Sequence, residues 1–282
     1  MELKVNGIAI LNGAQTVGAI GSLSETPDDK LKIQARFVKC ENRATQENIK
    51  KYNNTQNKIE AQDYRSNDST QERLSAEFEQ QRGVCYRQRR GEMNPVGFKN
   101  SKVISSVVAG QILTAFHGRP ELAYHKKTEL WEKDELYTKY FNTSTTASHI
   151  IFVHSLYESI KQRKLELVKK TKSANVVDIE REELNFYQTR GTLFIFLTAI
   201  ANSLSVILDF NIANKFNLSF TKKSNYKTYV EVWRKLLECL YPFTSKLAEG
   251  VTNGAIRLEN ADKVVNDFVR YIQSTRSSNL QN

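Results

Sequence analysis

The second part of the chain, from about residue 101, follows a helical pattern almost without interruption. Gly118 suits the end of the first helix in this part, and Pro120 suits the start of the next. The predicted helices lie near residues 101–118, 120–141, 146–171, 178–209, 226–249 and 260–275. The sequence therefore predicts an all-helical domain over residues 101–282.

Strand-like and helix-like segments alternate in the first hundred residues. GIAIL at 7–11 is a short apolar run that ends at a turn, and KIQARFV at 32–38 alternates apolar and polar residues, so both predict strands. Between them, QTVGAIGSL predicts a short crossover helix. The order indicates an α+β fold, in which a small α/β part over residues 1–100 precedes the larger helical domain.

Two helices and one more strand follow in this first part. We expect Thr45 to cap the first helix, and Asp68 or Ser69 to cap the second. The alternating segment GVCYRQRRGEM predicts either a strand or one arm of a hairpin that turns at Gly91.

Two segments account for the basic character of the chain, whose formal net charge is +10. Residues 82–102 and residues 161–172 each carry six basic side chains and one glutamate. Charge concentrated in this way attracts phosphates and other polyanions, nucleic acid above all. The alternative is a solvated helix face for the second segment and an exposed turn for the first.

Cysteine usage and apolar windows indicate the compartment. Cys40, Cys85 and Cys239 are odd in number and far apart, with no paired spacing for a zinc site or a redox motif, which fits a reducing cytoplasm. The N-terminal MELKVNG lacks the apolar region of a secretion signal. The apolar window 192–208 suits a buried core helix better than a membrane span. We therefore expect a cytoplasmic protein with no membrane partner.

The segment LNGAQT lies where α/β folds often place a ligand, between a strand and a helix. Asn12 and Gly13 allow a tight turn, and Gly13 lets a ligand approach the backbone closely. A helix that begins near Ala14 presents free amides to an anion, with Gln15 and Thr16 beside it. The alternative is that these residues only form and close the turn.

A second amide-bearing segment, NNTQN, contains Asn53, Asn54, Gln56 and Asn57. Their amides can pair with adenine edges, with the backbone or with one another. We count them as candidate ligand-binding residues, with helix capping as the alternative.

The cluster Tyr86, Arg87, Arg89 and Arg90 places guanidinium groups beside an aromatic ring. Phosphate clamps and base-stacking surfaces combine these side chains in the same way. These four residues are the candidate nucleic-acid contacts, and an exposed hairpin with solubilising charge is the alternative.

Catalytic and metal-binding patterns are weak in this sequence. Asp63, Asp68 and Glu72 could hold a divalent metal, but their spacing matches no established metal motif, and capping by Asp68 is an alternative use. The four histidines form no recognisable ligand or triad pattern. The sequence therefore predicts no metal site, assigns no cofactor and leaves enzymatic activity open.

Five segments occur in an order that resembles the AIPR family, which is named for abortive infection phage resistance. They are NGAQTVGAI (12–20), ARFVKC (35–40), NNTQNKI (53–59), DYRSNDSTQERL (63–74) and CYRQRRGE (85–92). The stretch GRPELAYHKKTELWEKDELYTKYF at 118–141 also resembles that family. The resemblance covers about residues 7–145 and implies a role in antiphage defence.

A more distant similarity links the first part to the ParB-like superfamily and its DGQHR relatives. Several of those proteins bind a nucleotide in the corresponding region or act on DNA. The similarity implies that NNTQN lies close to the Asn-Gly turn, so that both line one pocket. Gln15 and Thr16 stand where an Arg or His is expected, and neither supplies a charge that would stabilise a transition state.

Members of the AIPR family usually carry several hundred residues ahead of the Asn-Gly segment. We therefore expect the chain to correspond to the C-terminal portion of a family member. The edge of the GIAIL strand would then be covered by a second copy, giving a homo-oligomer, or by a partner chain.

Three functional hypotheses follow. The first is an antiphage defence protein that binds nucleic acid or a nucleotide through the α/β part, with the helical part as a scaffold. The second is a ParB-like nucleotide hydrolase or nuclease that uses Asp63, Asp68 and Glu72. The third is a protein-interaction module that senses a phage component.

Overall fold

The computed structural model describes residues 14–23, 28, 31–33, 37–39, 42, 45, 48–49, 60–89, 102–172 and 177–279. The chain forms two compact units, Met1–Tyr64 and Arg65–Asn282. The domain boundary that the sequence predicts near residue 100 stays a prediction.

The first unit contains helix α1 (Ala14–Gly21), which confirms the helix predicted after the Asn-Gly turn. GIAIL lies outside the described residues. Within KIQARFV, residues 32, 33, 37 and 38 are described and lie in neither a helix nor a strand. A strand needs a neighbour that completes its backbone hydrogen bonds, and local alternation of residue types does not supply one.

Helix capping in this region differs from the prediction at one of its two positions. Thr45 is itself helical, and its N–H donates to Oδ1 of Asn42 at 3.4 Å, so Asn42 takes the capping role expected of Thr45. Helix α2 spans Glu60–Arg65 and helix α3 spans Ser69–Glu79. Asp68 caps α3, as predicted, because its carboxylate accepts from the N–H groups of Thr70 and Gln71.

A two-stranded parallel sheet follows α3. Strand β1 (Cys85–Arg87) confirms the predicted strand, and it pairs with β2 (Val103–Ser105), with Tyr86 opposite Ile104. The prediction of helix from residue 101 is wrong over β2. Val103 and Ile104 are β-branched residues that suit a strand, and Ile104 is fully buried beside β1.

The predicted helical part is confirmed, and the fold as a whole is α+β. Its helices are α4 (Ser106–Phe116), α5 (Pro120–His125), α6 (Glu129–Glu132), α7 (Asp134–Tyr140), α8 (Ala147–Lys172), α9 (Asp178–Gln188), α10 (Thr192–Ile207), α11 (Tyr226–Glu238) and α12 (Leu258–Asn279). Two 3₁₀ helices span Lys215–Asn217 and Tyr241–Gly250.

Breaks divide three of the segments that the sequence presents as continuous. The segment 226–249 becomes α11 and the 3₁₀ helix Tyr241–Gly250. The segment 120–141 becomes α5, α6 and α7. The segment 178–209 becomes α9 and α10, which are bent by 109°. Gly191 stands between them with a φ of 91°, a conformation that glycine adopts without a steric penalty. A Cβ at this position would also meet Ile256 at 2.8 Å.

The sequence did not predict a short β-hairpin that lies within the helical part. Strands β3 (Val251–Thr252) and β4 (Ala255–Ile256) pair antiparallel around Asn253 and Gly254, whose φ angles are 51° and 73°. Asn-Gly is the preferred pair for this turn, because both of its central residues need positive φ.

Helix α10 lies at the centre of the core and packs against α4, α12 and the 3₁₀ helix Tyr241–Gly250. Most of its side chains are buried, which confirms the predicted core helix over 192–208. Among the described residues, no single helix has the length and apolar character needed to cross a membrane. The bent pair α9 and α10 meets those two criteria only when both helices are taken together.

Candidate nucleic-acid interface

The carboxyl edge of the parallel sheet brings together the end of β1 and the start of α4. Both strands end at this edge, and α4 begins directly after β2. Ser105 caps α4, because its Oγ accepts the Val108 N–H at 3.3 Å. Open α/β sheets commonly place ligands at such edges, where the helix N-terminus favours anions.

Arg87 and Arg89 lie at this edge. Arg87 is the last residue of β1 and is half-buried, whereas Arg89 is exposed. The guanidinium of Arg89 donates from Nη2 to Oδ1 of Asn67 at 2.7 Å. Asn67 precedes the cap of α3, so this hydrogen bond ties Arg89 to a helix terminus and presents it at the surface.

The backbone between these two arginines is held from both sides. The side-chain amide of Gln88 donates from Nε2 to the Ser66 carbonyl, and the hydroxyl of Ser106 donates to the backbone carbonyl of Gln88 at 3.0 Å. The segment that carries Arg87 and Arg89 is therefore anchored to the start of α3 and to the start of α4.

Tyr86 takes part in packing inside the protein. Its ring stacks on Phe78, with 4.9 Å between ring centroids and 14° between planes. Its hydroxyl donates to Oε1 of Gln71 at 2.7 Å, and Gln71 donates in turn to the hydroxyl of Tyr137 at 3.0 Å. Burial raises the pKa of Tyr86 well above its ordinary value. One ring face is thus occupied by Phe78, and the predicted stacking of Tyr86 on a base stays a prediction.

Most of the predicted ligand-binding residues lie outside the described part of the chain. Gln15 and Thr16 fall in the first turn of α1, as expected for groups near a helix N-terminus. Their binding role stays a prediction, as does that of the residues that the structure does not describe. These are Asn12, Gly13, Asn53, Asn54, Gln56, Asn57 and Arg90.

The three carboxylates of the hydrolase hypothesis, Asp63, Asp68 and Glu72, lie on or beside the helices α2 and α3. Asp63 falls within α2, and Glu72 is exposed on α3. Asp68 uses its carboxylate to cap α3, with 2.8 Å to the Thr70 N–H and 3.1 Å to the Gln71 N–H. Over the described ranges, no three His, Cys, Asp or Glu side chains group closely enough to hold a metal ion.

The second basic segment, residues 161–172, belongs to α8 and faces carboxylates. Arg163 binds Glu183 of α9 through two parallel hydrogen bonds, from Nε at 3.0 Å and from Nη2 at 2.7 Å. Lys170 lies 2.5 Å from Glu180, and Lys161 lies 3.2 Å from Glu158. Much of this segment's charge is therefore neutralised within the protein.

Glu183 is the buried member of this network, with 4% of its side chain exposed. Burial raises its pKa, and the hydrogen bond and charge of Arg163 lower it, the net direction being upward. The pKa of Glu180 is lowered, chiefly by its hydrogen bond from Lys170. The start of α9, DIEREE, is acidic and complements the basic end of α8. This complementarity is the sequence signal that could have predicted the ion pairs between the two helices.

Sequence reasoning also missed a histidine pair. Nε2 of His117 lies 3.1 Å from Nε2 of His149, and Nδ1 of His149 lies 2.9 Å from the Leu218 carbonyl oxygen. The two histidines are 32 residues apart in the sequence, so no local spacing rule could have joined them.

Comparisons with known proteins place the chain in a family. The family model described as AIPR protein matches residues 1–253, so the chain belongs to the AIPR family. Membership suggests a role in phage resistance by abortive infection. Searches of curated proteins and of solved structures found no match. The ParB-like similarity and the assignment to a C-terminal portion stay predictions.

Proposed function

We propose that this AIPR-family protein acts in antiphage defence by binding nucleic acid, or a nucleotide, through phosphate contacts. One observation carries the proposal: Arg89 is exposed and anchored at the carboxyl edge of the sheet, beside Arg87 and the N-terminus of α4. Guanidinium groups suit this task because they stay charged and offer several N–H donors to phosphate oxygens.

The residues of the N-terminal turn supply the second part of the proposal. We propose that Asn12, Gln15 and Thr16, with the amides of Asn54, Gln56 and Asn57, line a pocket for a base or a phosphate. Arginine contacts would provide affinity independent of sequence, and the amides would provide discrimination.

A salt-series titration tests the phosphate contacts. The full chain is titrated into labelled single- and double-stranded DNA and RNA, and Arg89→Ala is compared with wild type. We expect affinity to fall steeply as salt rises, and the variant to bind about fivefold more weakly, which corresponds to about 1 kcal/mol for one exposed contact. Binding that is absent, or independent of salt, contradicts the proposal.

Competition separates the two ligand classes. ATP and CTP are added to the preformed complex at constant ionic strength. If the nucleotide pocket is the primary site, one nucleotide displaces the nucleic acid at low concentration and the other does not. If the arginine edge is primary, both nucleotides compete weakly and equally, because they act only as anions.

A further inference from the structure

Three exposed lysines lie around the start of α11. Lys222 and Lys223 belong to the connection that precedes the helix, and Lys227 lies in its first turn. The sequence between Asp209 and Glu231 contains no acidic residue. Within the described ranges, none of the three lysines forms an ion pair with a carboxylate. Their charges therefore remain exposed to solvent.

One tyrosine of α11 fixes the backbone that carries Lys222 and Lys223. The ring of Tyr229 stacks on that of Phe220, with 4.2 Å between centroids and 6° between planes. The hydroxyl of Tyr229 accepts the backbone N–H of Ser224 at 2.9 Å. Both ends of the segment 220–224 are thus held by one side chain of α11, and the two lysines between them are presented beside the start of that helix.

An arginine from a distant part of the sequence joins these lysines. A Cβ at Gly83 would lie 3.8 Å from the backbone nitrogen of Tyr226, so Gly83 packs against the first residue of α11. Arg82 directly precedes Gly83, is exposed and forms no ion pair with any carboxylate that the structure describes. The fold therefore brings Arg82 beside the start of α11. The resulting basic cluster consists of Arg82, Lys222, Lys223 and Lys227.

The start of α11 departs from the usual charge preference of helices. A helix N-terminus carries a partial positive charge and favours Asp or Glu in the first turn, but α11 has Lys227 there and no acidic residue. Asn225 caps the helix with a neutral side chain, which accepts the Thr228 N–H at 2.9 Å. The helix terminus and the basic cluster thus add their positive potentials, and a polyanion across them would be attracted by both.

The chemical character of this surface favours nucleic acid over a membrane or a protein. Every exposed side chain among residues 221–228 is polar or charged, so the surface offers no apolar anchor for a lipid bilayer. The buried centres of protein interfaces are depleted of lysine. Nucleic acid carries a row of phosphates, so the cations need to share a surface but do not need to converge on one point.

We propose that the basic cluster is a second contact surface for the phosphate backbone of nucleic acid. This surface shares its class of ligand with the proposed function, on which the inference rests, and it lies at the opposite end of β1 from the arginine edge. Gly83 and Arg89 are six positions apart, so at most about 22 Å of extended chain separates the two surfaces. A duplex of about seven base pairs spans that distance.

Salt-series titrations of the full chain with duplex DNA test the basic cluster. The double variant Lys222→Gln/Lys223→Gln removes two of its cations. The slope of log affinity against log salt should fall by about 1.8, because two phosphate contacts are lost. The control Lys235→Gln/Lys263→Gln removes two exposed lysines from other parts of α11 and α12 and should leave the slope unchanged. All four lysines are exposed, so both variants should fold, which circular dichroism checks.

Chemical protection locates the contact in the unmodified protein. Lysines of the wild-type chain are acetylated with and without duplex DNA, and mass spectrometry quantifies each modified position. We expect DNA to suppress acetylation of Lys222, Lys223 and Lys227 and to leave Lys235 as reactive as before. Unchanged acetylation of Lys222 and Lys223 in the DNA complex overturns the second surface.

Arg89→Ala separates the basic cluster from the arginine edge. A reduced slope in the lysine double variant, with an unchanged slope in Arg89→Ala, would support the basic cluster and contradict the role proposed for the arginine edge. A reduced slope in Arg89→Ala alone would overturn the basic cluster and support the arginine edge. Equal reductions in the lysine double variant and its control would also overturn the basic cluster.

Lipid vesicles test the class of partner. Vesicles of phosphatidylserine and phosphatidylcholine replace DNA in the acetylation experiment. We expect them to leave Lys222 and Lys223 reactive. Protection of these lysines by vesicles but not by DNA would identify a membrane surface and overturn the assignment to nucleic acid.

Discussion

The two basic segments of the chain carry the same formal charge in the sequence but meet different surroundings in the fold. On α8, Arg163 and Lys170 are paired with Glu183 and Glu180 of α9. At the end of β1, Arg89 is exposed and donates to the amide of Asn67. The same composition thus forms internal ion pairs in one place and an exposed guanidinium group in the other.

The comparison shows what a charge count leaves out. Arg163 and Lys170 pair with carboxylates of the next helix, and both cations lie on one helix of 26 residues. Strand β1 is three residues long, and Arg89 follows it at the carboxyl edge of the sheet in an exposed position. Burial and exposure, rather than residue counts, distinguish the surroundings of the two sets of cations.

The largest effect should come from breaking the buried pair on α8. Glu183→Gln leaves Arg163 half-buried without its main counter-charge, so we expect the free energy of unfolding to fall by about 3 kcal/mol. Urea unfolding measures the change. Glu166→Gln is the matched control, because Glu166 pairs with Arg234 at 2.9 Å in a more exposed position, and it should cost less than about 1 kcal/mol. If both variants lowered the free energy of unfolding equally, burial would not make the Arg163–Glu183 pair more important for stability than the exposed Arg234–Glu166 pair.

Acid should weaken the helical part that holds the paired segment. Burial lowers the pKa of His149 to about 4 and that of His154, on the same helix, to about 3. Below the ordinary histidine pKa of about 6.5, the unfolded chain binds protons that the folded chain does not. The free energy of unfolding should therefore fall by up to about 1.4 kcal/mol per pH unit and histidine, between about pH 6.5 and pH 4.

Urea titrations at a series of pH values check this slope. His149→Asn should be less stable at neutral pH but should show a shallower decline toward acid, because one proton-linked group is gone. A slope that is the same in wild type and variant would mean that other groups set the acid response.

A smaller effect should follow from the cap of α3 beside the arginine edge. Asp68→Ala should cost about 1 kcal/mol, and Asp68→Asn should cost little, because Asn caps helices well. Neither change should affect turnover of a nucleotide or nucleic acid. If metal-dependent turnover exists and both variants abolish it, Asp68 is catalytic and the hydrolase hypothesis gains support.

The sequence was a good guide wherever the determinants are local. Asp68 as a cap, Pro120 at a helix start and the apolar helix α10 all follow from residue type and periodicity, and the structure agrees. Strand β2 was not predicted from the sequence, because it depends on pairing with β1, and the paired residues are 18 positions apart in the chain. The pair Asn253-Gly254 is a sequence signal for the β3–β4 hairpin. Each strand of this hairpin is only two residues long, so no alternating pattern marks the strands themselves.

The candidate site was only partly predictable for the same reason. Arg87 and Arg89 are candidates because guanidinium groups cluster in the sequence, and their binding role stays a prediction. The anchors of Arg89 and Gln88, which are Asn67 and Ser66, lie 22 residues away and carry no signal of that role. The pairing of His117 with His149 depends on how α4 and α8 pack, which periodicity does not specify.

The salt slopes of two matched variants test the central claim most directly. Arg89→Ala and Lys170→Ala each remove one exposed cation, the first at the arginine edge and the second in the paired segment. With duplex DNA, we predict that Arg89→Ala reduces the slope of log affinity against log salt by about 0.9, and that Lys170→Ala leaves it unchanged. An equal reduction in both variants, or a reduction only in Lys170→Ala, would contradict the assignment of nucleic-acid binding to the edge of β1.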